Sequence, residues 1–193
     1  MIFFINRRFF LLLIWLSFLS GCTLTRVPNP TPSEVQNSIH RLSIMLEDLN
    51  VSVKKKEARD LAKKAVLYSL KLSKEYALVS PPLWHNTLVN LGIKKRGLCY
   101  EWTEDLLAYL HEKRYDSLTL HYVGANIGGY FEHNAVAVSA KGMSFKHSLL
   151  LDAWRNSGNL FFIKLKEDKR YVWKSRDDMY EMMFPHLKRW GRF

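Results

Sequence analysis

Apolar positions in the first half of the chain recur at helical spacing. Val35, Ile39, Leu42, Leu46 and Leu49 share one face, and Ser33 with Gln36 reads as a capping box ahead of them. The pattern predicts a helix over about 34–50. Ala58, Leu61, Ala65, Tyr68, Leu72 and Tyr76 form a second stripe, which predicts a helix over about 56–78. Pro81-Pro82 stops it and opens a short third helix, about 83–91, that closes near Gly92. Gly97 precedes a fourth, with Cys99 in its first turn and Trp102, Leu106, Tyr109 and Leu110 along one side. Beyond Arg114 the runs become short and rich in β-formers. Leu118 to Val123, Ala135 to Val138, Leu149 to Leu151 and Leu160 to Leu165 read as strands. Gly128-Gly129, Lys141-Gly142 and Ser157-Gly158 punctuate them as turns. Met179, Met182, Met183 and Phe184 return to helical spacing. Helices followed by antiparallel strands make an α+β fold, with N-terminal helices packed on an antiparallel β-sheet. No internal repeat is present.

The N-terminus reads as a processing signal. Arg7 and Arg8 precede an apolar run from Phe9 to Phe18. That run is about ten residues long, short of the roughly 20 that span a bilayer. Leu19-Ser20-Gly21-Cys22 then resembles the bacterial lipobox. The resemblance implies cleavage before Cys22 and lipid on its sulfur and new amino group, the alternative being an uncleaved anchor. The expected organisation is a signal peptide over 1–21, a lipidated Cys22 with a proline-rich tether over 22–32, and one domain over 33–193. Thr23, rather than aspartate, follows the cysteine. By the same resemblance that favours the outer membrane, facing the periplasm, in a Gram-negative cell. The expected partner is therefore a membrane, reached through the lipid anchor.

Charge adds less. The formal net charge is +11, or +9 once Arg7 and Arg8 leave with the leader. Anionic lipid and acidic cell-wall polymers fit a basic exported chain, and export argues against nucleic acid. The basic residues are scattered through helices and loops, as solvated faces are.

Cys22 and Cys99 are the two cysteines. If Cys22 carries lipid, Cys99 is an unpaired thiol in a compartment where cysteines are usually paired or absent. A cysteine at a helix start feels the positive end of the helix dipole and lies beside free N–H groups. These lower its pKa and can supply an oxyanion hole. Glu101, Glu104 and Asp105 in the same turns work against the thiolate, so an imidazole is needed. His133, opening Glu132-His133-Asn134-Ala135-Val136-Ala137-Val138, is the best placed, and His121 is the runner-up. His40 and His111 read as solvated helix-surface residues, with His147 and His186 near turns. Asp152 closes Leu149-Leu150-Leu151-Asp152, where a carboxylate is costly to bury unless it pairs. A hydrogen bond from His133 would pair it and fix the tautomer.

Gly97-x-Cys99 at a helix start, His133-x-x-Val136-x-Val138 in a strand, and a strand ending in Asp152 resemble the transglutaminase-like, papain-like cysteine peptidase superfamily. The resemblance spans roughly 80–165. It implies a papain-like core, a catalytic set of Cys99, His133 and Asp152, no cofactor or metal, and acyl transfer from a peptide-type amide through a thioester. Peptide, protein or peptidoglycan substrates follow from the expected location. The chain departs from the pattern at Asn134, where an aromatic is common, and in having no glutamine shortly before Cys99. Asn86, Trp84, Tyr100 and the backbone N–H groups near Cys99 are the candidates for oxyanion or substrate contacts. The other readings of Cys99 are a buried core thiol, an intermolecular disulfide or a zinc ligand. The other reading of the whole is a catalytically inactive fold serving as a tethered envelope binding or scaffold protein.

Overall fold

Thr31, rather than Ser33, caps the first helix. In the computed structural model, which describes residues 29–185, Glu34 N donates to Thr31 Oγ1 (3.3 Å) and Thr31 N to Glu34 Oε2 (2.7 Å). This capping box, with Pro32 at the first helical position, starts α1 (Pro32–Glu47) two residues before the expected boundary. The leader, Cys22, most of the tether and His186 lie outside the described residues.

α2 (Lys55–Glu75) ends three residues sooner than the apolar stripe implies. Ala77 takes a left-handed φ of 45°, and Leu78 N bonds back to Ser73 O, closing a Schellman-type cap. A glycine would have marked this stop, and the alanine hid it. α3 (Pro82–Asn90) and α4 (Cys99–His111) follow where the pattern placed them.

The strands are β1 (Leu118–Ala125), β2 (His133–Ala140), β3 (Leu149–Asp152), β4 (Phe161–Lys164) and a two-residue edge, β5 (Lys174–Ser175). They form one sheet in the order β4-β3-β2-β1-β5, every neighbour antiparallel. α5 (Asp177–Met183) packs back on β1. Among the described residues the fold is α+β, with five α-helices and a five-stranded antiparallel sheet. Among the described residues, no helix is long and apolar enough to cross a membrane.

Both faces of the sheet are covered. Leu118, Leu120, Tyr122, Val136, Val138, Leu149 and Leu151 face the helices and join the main core with Leu61, Ala65, Trp102 and Leu106. Val123, Ala135, Ala137 and Leu150 face the other way, against Phe161 of β4 and Leu165, Tyr171 and Trp173 from the segment after it. β2 is central and buried along its whole length. α4 packs on β2, so the N-terminus of α4 stands near one end of that strand.

Candidate active site

The start of α4 is built from its own sequence. Glu101 reaches back, and its Oε2 accepts Gly97 N (2.7 Å) and Leu98 N (2.9 Å). Trp102 Nε1 donates to Gly97 O (3.0 Å) from inside the core. Gly97 has φ 130°, and a Cβ there would lie 2.2 Å from His85 Nε2. Only glycine lets the chain pass so close to that ring. His85 is buried, accepts Val79 N at Nδ1 (3.1 Å) and donates from Nε2 to Arg96 O (2.8 Å). It ties the segment after α2 to the approach to Cys99, a structural role the sequence did not single out.

Cys99 is therefore the first residue of α4, 9% exposed, with a free thiol whose Sγ lies 3.6 Å from the carbonyl oxygen of Glu132. That carbonyl directly precedes His133. Asp152 lies one position beyond the Val136–Leu151 pair, on the same sheet face as His133 and diagonal to it. His133 Nε2 and Asp152 Oδ2 are 2.6 Å apart, with the two residues 2% and 1% exposed. The bond uses Nε2. His133 Nδ1 is one of four buried side-chain polar atoms without a hydrogen-bond partner among the described residues. Trp154, Tyr171 and Trp173 surround the ring, with centroids 4.8, 4.9 and 5.4 Å away.

Burial alone would lower the proton affinity of His133. The Asp152 carboxylate outweighs it and the Cys99 side chain adds to the effect, so the imidazole pKa is raised to about 9. For Asp152, burial pushes the pKa up, but His133 and then Arg155 hold it below the usual carboxylate range. The structure thus brings Cys99, His133 and Asp152 together, with an imidazolium favoured beside a thiol at a helix N-terminus.

A layer behind the triad was not foreseen. Arg155 Nε bonds Asp152 Oδ2 (2.9 Å) and Arg155 N bonds Asp152 Oδ1 (3.0 Å). The guanidinium continues to Asp168 through Nη1 (3.3 Å) and Nη2 (2.7 Å), and Asp168 also accepts Trp173 Nε1 (2.9 Å). On the other side, Glu132 is held by Gly128 N (2.8 Å) and Arg176 Nη1 (2.9 Å), which fixes the strand start next to His133.

The remaining sequence candidates separate. Asn86 Oδ1 accepts the Trp154 indole N–H (3.1 Å), so Asn86 steadies a ring that packs on His133. Tyr100 is half-exposed beside Cys99, and Trp84 is half-exposed on α3. His121 is committed elsewhere, with Nε2 2.8 Å from Ser139 Oγ. His40 is exposed and His147 sits in an exposed 3-10 turn, as expected. His111 corrects its reading as a solvated residue: it pairs with the Tyr180 hydroxyl (2.5 Å) and packs on Phe184 because α5 folds over that end of α4. Among the described residues no His, Cys, Asp and Glu group is arranged to hold a metal ion. A cleft of about 860 Å³ opens at the opposite end of the sheet, lined by His121, Lys141, Ser144, Asp177 and others, and no triad member lines it.

Two exposed aromatics that precede Glu132 in the chain were missed. The β1–β2 loop carries Tyr130 (94% exposed) and Phe131 (70% exposed), packed edge to face at 5.0 Å, immediately before Glu132. Their signal was a Tyr-Phe pair in a Gly-Gly turn, where aromatics are uncommon.

Comparison with known proteins gives no match: no family model, curated protein or solved structure is similar enough to this chain to place it.

Proposed function

We propose that the protein is a cysteine hydrolase or acyltransferase of transglutaminase-like type, tethered in the cell envelope and acting on a peptide-type amide. One observation carries this reading. A buried imidazole bonds a carboxylate through Nε2 and leaves Nδ1 without a hydrogen-bond partner among the described residues, and despite burial its proton affinity is raised by Asp152 and by the side chain of Cys99 at a helix N-terminus. That arrangement suits nucleophilic catalysis. His133 takes the Cys99 proton. The thiolate attacks the amide carbon, and the developing oxyanion is met by N–H groups of the first turn of α4, which have no intrahelical acceptor. Collapse breaks the C–N bond as His133 Nδ1–H protonates the leaving amine. Water or a second amine then attacks the thioester, giving up its proton to His133, and the acyl group leaves Cys99. Asp152 orients the ring and stabilises its charged form throughout.

The α+β order, with the cysteine helix ahead of the histidine and aspartate strands, supports the family likeness. The tether and envelope location rest on the lipobox. A binding module without turnover is the competing reading, favoured by the cleft lying away from the triad.

Iodoacetamide labelling tests the site. We expect Cys99 to react at pH 6 at least about tenfold faster than an ordinary thiol, whose pKa lies near 8.5, and His133→Ala to remove that advantage. Equal rates in the two proteins end the thiolate–imidazole reading. Cys99→Ser decides between enzyme and binding module: if it fully supports the cellular role, catalysis is not that role.

A further inference from the structure

We propose that Arg155 and Asp168 are positioning residues that set the proton affinity of His133 through Asp152. The inference rests on Cys99, His133 and Asp152 being a working triad.

The geometry is specific. Asp152 Oδ2 is shared by His133 Nε2 (2.6 Å) and Arg155 Nε (2.9 Å), while Oδ1 takes the Arg155 backbone N–H (3.0 Å). Among the described residues, every hydrogen bond to this carboxylate comes from His133 or Arg155. The carboxylate cannot turn without losing one of them. On its far side the guanidinium is chelated by Asp168 and lies over the Phe161 ring, 4.1 Å from its centroid, and over Tyr171 at 5.2 Å. The side chains of Asp152, Arg155 and Asp168 are nearly closed to solvent. They form a dry row of alternating charge behind the imidazole, in which each charge acts strongly on the next.

Stability alone is a poor account of such a row. Desolvation cancels much of what a buried ion pair gains, and apolar packing of the same volume is often as good. Its electrostatic effect on His133 has a definite sign. The guanidinium, one carboxylate away, opposes an imidazolium. Asp168 offsets the guanidinium. Removing the Arg155 charge therefore makes His133 a stronger base, and removing the Asp168 charge makes it a weaker one. The other groups facing the ring keep their chemical identity in both variants. These are Cys99 from α4, Asp152 from β3, Glu132 with its partner Arg176, and the Tyr171 phenol beside Trp154 and Trp173. A packing defect has no reason to reverse sign between the two.

The test is the titration of the His133 ring nitrogens by nitrogen-15 NMR in the intact protein, alongside the pH profile of Cys99 alkylation by iodoacetamide. Arg155→Met is expected to raise the His133 pKa by about one unit and Asp168→Asn to lower it by about one unit, each roughly tenfold in the imidazolium ratio. Arg155→Lys keeps the charge and stays near the wild-type value. Shifts in the same direction, or none in either variant, overturn the inference. If Arg155→Met does not fold, an upward or absent shift in Asp168→Asn overturns it alone. The ring titration needs no reactive thiol. A triad that fails shows instead as alkylation indifferent to His133→Ala, so the two failures are distinguishable.

Discussion

His133 links this fold to pH with a definite sign. Its pKa is raised to about 9 in the folded protein, against 6.5 for the free side chain. A group bound more tightly to its proton in the folded state stabilises the fold fully below the unfolded value, and that contribution is lost as pH rises through the folded one. The window is therefore about pH 6.5 to 9. The contribution is at most on the order of 3 kcal/mol. Urea unfolding at both ends of the window checks it: wild type loses stability as pH rises, and His133→Gln loses distinctly less. Asp152, held low by His133 and Arg155, acts at the other end, its contribution disappearing only as pH falls through its depressed pKa. Cys99, His133 and Asp152 were legible in the sequence because each stands at an element boundary, where a polar residue interrupts an apolar pattern. Arg155 was not. In Asp152-Ala153-Trp154-Arg155-Asn156 it reads as a solvated turn residue, and its side chain is covered by Phe161 and Tyr171 and paired with Asp168, all from later in the chain.

At the scale of the elements, the N-terminus of α4 depends on one backbone conformation. Gly97 at φ 130°, with His85 pressed against it, lets Glu101 collect two N–H groups and leaves Cys99 as the first helical residue. Gly97→Ala places a Cβ against the buried His85 ring and forces a left-sided φ, for a cost of about 1–3 kcal/mol. The urea midpoint should fall with little change in slope, and Cys99 alkylation should slow as the helix start shifts. An unchanged midpoint and rate would show that Gly97 is not what sets this turn. α1, α2 and α4 were legible because each buries a single stripe at a period of 3.6, whereas α3 was marked by Pro81-Pro82 before it and Gly92 after it. β2 was half legible. It runs from His133 to Ala140; its start at His133 and its Ala-Val-Ala-Val centre read as a strand, but its end through Ser139 and Ala140 did not, because both faces are covered and no alternation marks that end. β5, two residues pairing with β1 at the edge, leaves no pattern to read.

For the whole molecule, the sheet separates two tasks. Helices on one face supply most of the core, and loops after β3 close the other face over His133, Asp152 and Arg155. The start of α4 and the end of the β1–β2 loop meet where Cys99 Sγ faces the Glu132 carbonyl. That loop is held in shape: Gly129 N and Asn126 Nδ2 bond within it, and Glu132 is tied to Gly128 N and Arg176. It still presents Tyr130 and Phe131 to solvent, next to the residue whose carbonyl faces the thiol. On the proposed reading, an apolar side chain of a peptide is what this pinned aromatic pair would grip, because burying apolar area is what it offers. The double variant Tyr130→Ser, Phe131→Ser should keep its stability within about 0.5 kcal/mol, as exposed substitutions do. Its alkylation by iodoacetamide should be unchanged. Labelling of Cys99 by acetyl-Leu-Phe chloromethyl ketone should slow about tenfold, a loss of roughly 1.4 kcal/mol in transition-state binding. If both reagents slow together, the loop supports the nucleophile; if neither slows, the aromatic pair takes no part in bringing an apolar peptide to it.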